Sequence, residues 1–509
     1  MTRNLLMRRL FFLILASGTW RNLAADYPEE YANLTPIQQY LVLNAAATYF
    51  QRYSNPAMLA AEFEYRSFYT VAEDGHRGDF RRPFTARARS EYTATAGGQQ
   101  VFGRHSLLAG SFSYRRQRLE DKMWVHNRAP YSGQPFLLAD SSTGDFRLDG
   151  IFWEVLWSRN WIEQKLTSGI GLFYNVDEEY KMVFPKPQNK HRDLYLKAGW
   201  LWRPRPQFSI GLTVGHFDFQ EILATTQYSL DQNRTPIFFK IRGLDNPLIF
   251  KGQTSEERLL AIQGFHTTLD FSATAGRHFL QGDLSYAGAK AQNTDGGAYP
   301  VRQGKWSSTG YAFRGEWLFR IIPTLSGGLF STGAINIQEA DHPELKMKID
   351  ELRTRALTGG ISLPVRRRGW DFVPRLYYTS KMLKRTDFYN GILLYIPGDQ
   401  LAGEIDCQVH HSPRWQLTLN SGFGQLAGRT SRIITERQDW YFQAITHNDI
   451  AYLQANQQQT WFELTGNWNT SNTRKYSAKM KYCLSEPVAK VKPGRQFQSL
   501  TLTITIENY

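Results

Sequence analysis

From Leu59 the residues Leu59, Ala61, Phe63 and Tyr65 fall on one face of an alternating run, and Glu62, Glu64 and Arg66 on the other. Successive side chains of a strand point to opposite faces, so this pattern predicts a strand with one apolar and one polar side. The design recurs in Leu108-Gly110-Phe112-Tyr114, Ile151-Trp153-Val155-Trp157, Leu194-Leu196-Ala198-Trp200-Trp202, Ile210-Leu212-Val214, Tyr311-Phe313-Gly315-Trp317-Phe319 and Leu500-Leu502-Ile504-Ile506. Alternation alone also suits a soluble sandwich or jelly roll, and loop lengths decide between them.

Tight turns are expected at 97–103, 158–160, 203–206, 275–277, 321–324, 366–369, 412–414 and 470–473. Between them lie longer polar loops at 72–84, 118–145, 177–190, 220–258, 291–305, 339–349, 385–397, 429–458 and 486–495. Short connections on one rim and long ones on the other are the asymmetry of an outer-membrane barrel. The fold class is therefore all-β, a transmembrane antiparallel β-barrel. Nine long loops imply 18 strands, and weaker alternation near 385–397 and 475–495 leaves 14–18 acceptable. At the end of the chain Leu500 to Ile506 place apolar residues at even positions while Tyr509 is odd, so Glu507-Asn508-Tyr509 is expected to leave the last strand.

The first 57 residues break the pattern. Arg3, Arg8 and Arg9 accompany the short apolar run Leu10–Ala16, which reads as an export signal cleaved after Ala25 or after Gly18. Over 35–53, Thr35 as N-cap and Pro36 at the first helical position predict a helix, and Ile37, Tyr40, Leu41, Asn44, Thr48 and Arg52 mix apolar with polar groups on one face. Such a helix suits the periplasmic entrance or the lumen of a wide barrel, or a docking partner. The organisation is then 1–25 signal peptide, 26–57 periplasmic or plug helix segment, and 58–509 barrel.

Composition sharpens the class. Aromatics make up 14% of 509 residues, with 40 Gly, which favours strands over helices. Two cysteines exclude a disulfide scaffold, and Cys407 and Cys483 lie on separate strands. No later stretch approaches the ~20 apolar residues of a spanning helix. The net charge of +14 falls to +10 when Arg3, Arg8, Arg9 and Arg21 leave with the signal. No nucleic-acid-binding module accompanies it, so no nucleic acid is expected as a partner.

Trp157 and Trp161 flank one tight turn, Trp200 and Trp202 precede another, and Trp370 and Trp415 follow two more. Amphipathic rings settle at headgroup level, so these six read as membrane-interface aromatics. Arginines at the short turns, among them Arg203, Arg205 and Arg366, solvate a rim or meet lipid headgroups. Glu62, Glu64, Arg66, Arg87, Arg89, Glu91, Arg314 and Glu316 are expected to face the lumen. Their mixed signs point to internal ion pairing and a partly filled interior rather than an open pore.

Catalytic chemistry is not found. His410-His411, Asp341-His342 and the set His447, Asp449 and Glu436 are short, isolated clusters best read as solvated polarity. No zinc-ligand spacing and no phosphate-cradling glycine loop occurs, so neither a metal nor another cofactor is expected.

The segment Asn55-Pro56-Ala57-Met58-Leu59-Ala60 ahead of the first strand resembles the N-terminal hatch of fatty-acid-transporter-type outer-membrane barrels. The whole plan of signal, helix and long barrel is similar to a Bacteroidota outer-membrane barrel family without assigned activity. The resemblance implies a plug or hatch at Asn55, Pro56 and Ala57 and a gated or plugged transport barrel for a small or amphipathic solute. The alternative is a non-conducting accessory barrel in an uptake or secretion complex. Implied partners are outer-membrane lipid including lipopolysaccharide and the barrel-assembly machinery. A TonB-dependent receptor, a surface lipoprotein or a secretion component joins them in the accessory case.

Overall fold

The computed structural model describes residues 55–61 and 67–508, apart from 104, 163–164, 226–236, 252–255, 297–298, 368, 413, 429, 436–438, 472–473 and 489–493. The export signal, the helix over 35–53, Glu62, Glu64, Arg66, Glu436 and Tyr509 lie outside the described residues.

Among the described residues there are 22 strands. They are β1 (Ser67–Gly78), β2 (Ala88–Phe102), β3 (Ser106–Val125), β4 (Phe136–Ile162), β5 (Leu166–Lys181), β6 (Gln188–Arg205), β7 (Phe208–Thr225), β8 (Ile237–Arg242), β9 (Leu248–Lys251), β10 (Glu256–Ala275) and β11 (His278–Asp295). There follow β12 (Val301–Ile322), β13 (Leu325–Asp341), β14 (Lys348–Ser362), β15 (Val365–Arg367), β16 (Trp370–Asp387), β17 (Ile392–Ser412), β18 (Trp415–Gly428), β19 (Arg432–Thr435), β20 (Gln457–Ser471), β21 (Arg474–Pro487) and β22 (Phe497–Asn508). Eighteen are staves of one antiparallel barrel, and β8, β9, β15 and β19 are short additions. Pairing of β1 with β22, Ser67 opposite Asn508 and Gly78 opposite Phe497, closes the ring. Glu507 and Asn508 therefore stay in the last strand, contrary to the phase argument, because their backbones complete this seam.

The first strand also starts later than expected. Pro56–Ala61 is a 3-10 helix, and β1 begins at Ser67. The local cause is Asn55, whose Oδ1 accepts the Ala57 N–H at 3.0 Å while Pro56 supplies a helix-compatible φ.

Eight connections lie on one rim and nine on the other, and those of the second rim are the longer, apart from the seven residues 363–369 that carry β15 on the first. The long loops are shorter than the sequence suggested, because strands continue past the ~9–11 residues that span a membrane. β4 alone has 27 residues. On the staves the outward face is apolar: Ile151, Ile170, Leu196, Leu212, Leu284, Phe313, Leu376, Leu401, Leu417 and Leu502 are all exposed. Their inward neighbours Phe152, Glu154, Leu156, Phe173 and Tyr195 are buried. A continuous exposed apolar wall of this extent is incompatible with a water-facing surface and fits hydrocarbon.

At the long-loop rim, register shifts after Leu119 and Met123 bend the end of β3, where Asp121 and Trp124 have φ of 57° and 52°. Beyond them Phe136–Asp140 pairs with β8, from Phe136 opposite Arg242 to Asp140 opposite Phe238. With β9 paired along the other edge of β8, this plank has three strands, and it reaches the far wall, where Asp387 at the end of β16 accepts the Leu244 N–H at 2.7 Å. β16 is the ninth stave on from β4 in a ring of eighteen, so the plank crosses the mouth.

Candidate functional site: a lumen with packed segments at both ends

At the short-turn end, Asn55, Pro56, Ala57 and Leu59 are buried against the inner wall. Asn55 Nδ2 donates to the Trp200 carbonyl at 3.1 Å, and Ser158 Oγ donates to the Ala57 carbonyl at 3.2 Å. Gly169, Gly199 and Gly211 on three adjacent staves make room for the segment. A Cβ at these positions would come within 2.5 Å of the Pro56 carbonyl carbon, 2.1 Å of Asn55 Oδ1 and 2.8 Å of Asn55 Nδ2. Above this cradle Met58 and Leu59 pack among Phe68, Leu107, Phe152, Leu156, Phe173 and Phe217. The Asn-Pro-Ala motif is thus pinned by hydrogen bonds and by wall residues that lack side chains.

Towards the long-loop rim the inner faces of β3 to β7 carry a connected charge network. Asp177, 2% exposed, accepts from Arg115 Nη2 at 2.9 Å and from Asn175 Nδ2 at 2.9 Å, and His191 Nδ1 contacts its other oxygen. His191 Nε2 lies 3.1 Å from Glu221, and Asp193 takes a second bond from Asn175 at 2.9 Å. Arg128, from the loop between β3 and β4, completes the set. Its N–H donates to Glu221 at 2.7 Å, and its guanidinium lies 3.0 Å from Asp193 and 3.3 Å from Asp177. Burial opposes the Arg128 charge, but Asp177 and Asp193 more than offset it and hold the guanidinium above its ordinary range. Beside this set Lys122 binds Glu179 at 2.9 Å, and Asp140, the last plank residue of β4, binds Lys181 at 2.7 Å and His126 at 2.6 Å.

Over the mouth, loop 79–87 meets the helix α1 (His447–Gln454). Arg82 Nε and Nη2 donate to the two oxygens of Asp449 at 2.6 and 2.7 Å, and the same guanidinium lies 3.5 Å from the centre of the Tyr131 ring. Tyr131 OH accepts the Phe84 N–H at 2.9 Å, and burial raises its phenol well above the ordinary range. Leu137, Ala139, Phe239 and Ile241 of the plank pack with Phe84, Val125, Tyr441 and Ile445. Asp245 receives the Phe442 N–H at 3.1 Å, which fixes the helical segment to the loop after β8. Asp449 is therefore committed to Arg82, not to a site with His447.

The family model that matches spans residues 56–508 and is described as a family of unknown function, DUF6850. The chain belongs to that family. No curated protein matches it in sequence. Among solved structures, it is similar to the copper transporter OprC at 8% identity and a TM-score of 0.40, over 88% of this chain and 81% of that one. It is also similar to the siderophore receptor PiuA from Acinetobacter baumannii at 7% identity and a TM-score of 0.40, over 87% and 82%. The outer membrane transporter YddB from Escherichia coli matches at 7% identity and a TM-score of 0.41, over 88% and 81%.

The charged residues singled out in the sequence take distinct places. Arg89 lies 2.7 Å from Asp74 and 3.6 Å from Glu91, and Glu91 accepts from Gln117 Nε2 at 3.0 Å, all on one inward face. Arg314 lies 2.7 Å from Asp283, and Glu316 accepts from Gln281 Nε2 at 2.7 Å, also inward. Arg87 departs from the expectation: it precedes β2 and stands exposed at the rim, 3.4 Å from Asp121. Trp161, Trp200, Trp202 and Trp415 are exposed beside short turns, and Trp157 and Trp370 are half-buried. Arg159 lies 4.3 Å from the Trp161 ring, and the Trp415 and Trp468 rings stack at 5.5 Å. Sequence reading missed the Asp177 network, although Asn175, Asp177, Glu179 and Lys181 occur at alternate positions opposite Asn189, His191 and Asp193. Among the described residues no group of three or more His, Cys, Asp or Glu is arranged to hold a metal ion, and Cys407 and Cys483 are free thiols.

Proposed function

We propose that the chain is a plugged outer-membrane transport barrel of a Gram-negative bacterium, its short turns in the periplasm, carrying a small or amphipathic solute. The observation that carries this reading is the pair of packed segments at opposite ends of one lumen: Asn55–Ala61 in its glycine cradle and the Arg82–Asp449 closure with its plank. A gated transport path requires segments that close the lumen, and both of its ends carry one. The outward apolar wall supports membrane residence, and the tryptophans near the short turns fit its inner interface. Partners on this reading are outer-membrane lipid and the barrel-assembly machinery.

The test is conductance in planar bilayers of the whole chain, of a form lacking residues 26–61, and of an Arg82→Ala/Asp449→Ala form. Silence in the whole chain and stepwise conductance once both closures are removed is the expected result. A lumen that stays silent with both removed overturns transport. An accessory barrel, partnered with a TonB-dependent receptor, a surface lipoprotein or a secretion component, is then the remaining role.

A further inference from the structure

A basic row with few acidic partners lies on the outward wall of β14 to β19. Arg353 of β14 lies directly opposite Lys384 of β16, Lys384 opposite Tyr395 of β17, and Tyr395 opposite Arg432 of β19. Arg355, two residues on, faces Ile335 on one side and Met382 on the other. Arg353, Arg355, Lys384 and Arg432 are exposed, whereas the alternate residues Leu352, Leu394 and Ile396 are buried inward, which assigns the four cations to the outer surface.

Directly opposed like charges destabilise a strand pair, so this row costs stability unless an anion bridges it. The protein supplies little compensation. Arg353 contacts Glu351, which also holds Lys348 at 3.0 Å, and Glu339 holds Lys348 at 2.5 Å. Among the described residues Arg355, Lys384 and Arg432 make no ion pair, and the next acid toward the short turns, Asp399, is opposite Ser380, two rows below.

Height places the row in a membrane. Lys384 stands 14 residues along β16 from Trp370 at the short-turn rim. With a rise of ~3.3 Å per residue and a tilt of ~40°, that is ~35 Å, just beyond an apolar band of ~25 Å and inside the headgroup layer of the far leaflet. Past Asp399 the same wall is apolar, with Leu376, Tyr378 and Leu401 exposed, and the exposed Ile335 flanks Arg355.

We propose that Arg353, Arg355, Lys384 and Arg432, flanking Tyr395, bind the phosphate of an acylated outer-leaflet lipid whose chains lie along Ile335, Met382 and Leu401. The site rests on the outer-membrane reading above and on charge complementarity at its apolar border. Polybasic attraction of this kind grows with each cation near the surface.

The test is native mass spectrometry of the full chain in detergent, offered bisphosphorylated lipid A or its dephosphorylated form, beside an Arg355→Gln/Lys384→Gln/Arg432→Gln variant. Heat-modifiable gel migration checks that both barrels are folded. The expected result is preferential retention of the phosphorylated lipid by the native chain, reduced roughly tenfold or more in the variant. Equal retention of the two lipids, or unchanged retention by the variant, overturns the site. Inorganic phosphate bound as tightly as the lipid overturns the lipid assignment in favour of a soluble anion. Insertion into lipid vesicles is scored separately: a chain that never inserts overturns the membrane reading itself, whereas an inserted chain without lipid preference overturns this site alone.

Discussion

Gly199 shows how a single missing side chain positions a closure. Its inward face lies against Asn55 Oδ1, where a Cβ would sit 2.1 Å away. Gly199→Ala therefore pushes Asn55 off the wall, and the Trp200 carbonyl loses its donor. Each such bond is worth ~0.5–1.5 kcal/mol net, and a buried amide left unsatisfied costs ~1–3 kcal/mol. The rest of the wall keeps its register, so the barrel should retain heat-modifiable migration while residues 55–61 become accessible to protease added after reconstitution. Unchanged protection of that segment would show that the cradle does not hold it.

Arg128 carries a larger stake. It is the loop cation against Asp177, Asp193 and Glu221, all buried. Removing one partner from a buried ionic set leaves uncompensated charge and costs ~3–5 kcal/mol. Arg128→Met is expected to lower the thermal midpoint of the folded barrel, read by circular dichroism in detergent. Adding Asp193→Asn should recover part of the loss, because Arg128 is the cation beside Asp193, whereas Asp177 keeps Arg115 and His191. A single variant as stable as the native chain would mean that water or rearrangement already compensates those acids.

Among the elements, the plank and the Arg82–Asp449 link form one closure, since Tyr131 touches Arg82 and lies in the loop that leads into Phe136–Asp140. Arg82→Ala and Asp449→Ala should each increase opening events in bilayer recordings of the plug-deleted barrel, with the double variant no worse than the more severe single one. Arg82→Lys should not rescue, because a lysine lacks the bidentate fork and the planar contact with the Tyr131 ring. Additive effects of the two singles would show that they act on different elements.

The closures also mark the limit of what the sequence made legible. The order of short turns and long loops predicted 18 staves because over that span the outer face of each stave is apolar and the inner face largely polar. Towards the long-loop rim loops cover both faces, so the hydropathy contrast disappears while the backbone pairing continues. Residues 118–145 accordingly read as loop, yet Lys122, Met123 and Phe136–Asp140 are paired. Residues 59–61 depart from the expected strand for another reason: Asn55 and Pro56 bias the local backbone towards a helical turn, and Leu59 is buried in the lumen rather than set outward. The network around Asp177 was written as alternating polar residues, but nothing in one strand tells which loop supplies Arg128.

At the scale of the whole molecule, the barrel sorts its tryptophans by environment. Trp161, Trp200, Trp202 and Trp415 are exposed on the outer wall beside short turns, while Trp306 and Trp461, 3% and 5% exposed, are packed on the inner face. If the apolar wall faces lipid, bromine atoms on acyl chains should quench the first group and spare the second. Single-tryptophan variants, with the other tryptophans replaced by phenylalanine, isolate each signal. Trp161, Trp200, Trp202 and Trp415 should respond most strongly to bromines near the headgroup, since rings settle at the interface. Trp306 and Trp461 should change little at any bromine depth, because the wall of the barrel lies between them and the chains. Equal quenching of both groups would require the inner face to touch lipid, which a closed ring joined by β1 and β22 forbids; no quenching of either group would remove the outer wall from the membrane altogether. The split itself decides the matter, because aggregation or partial unfolding changes both groups together, whereas a sealed cylinder in a bilayer separates them.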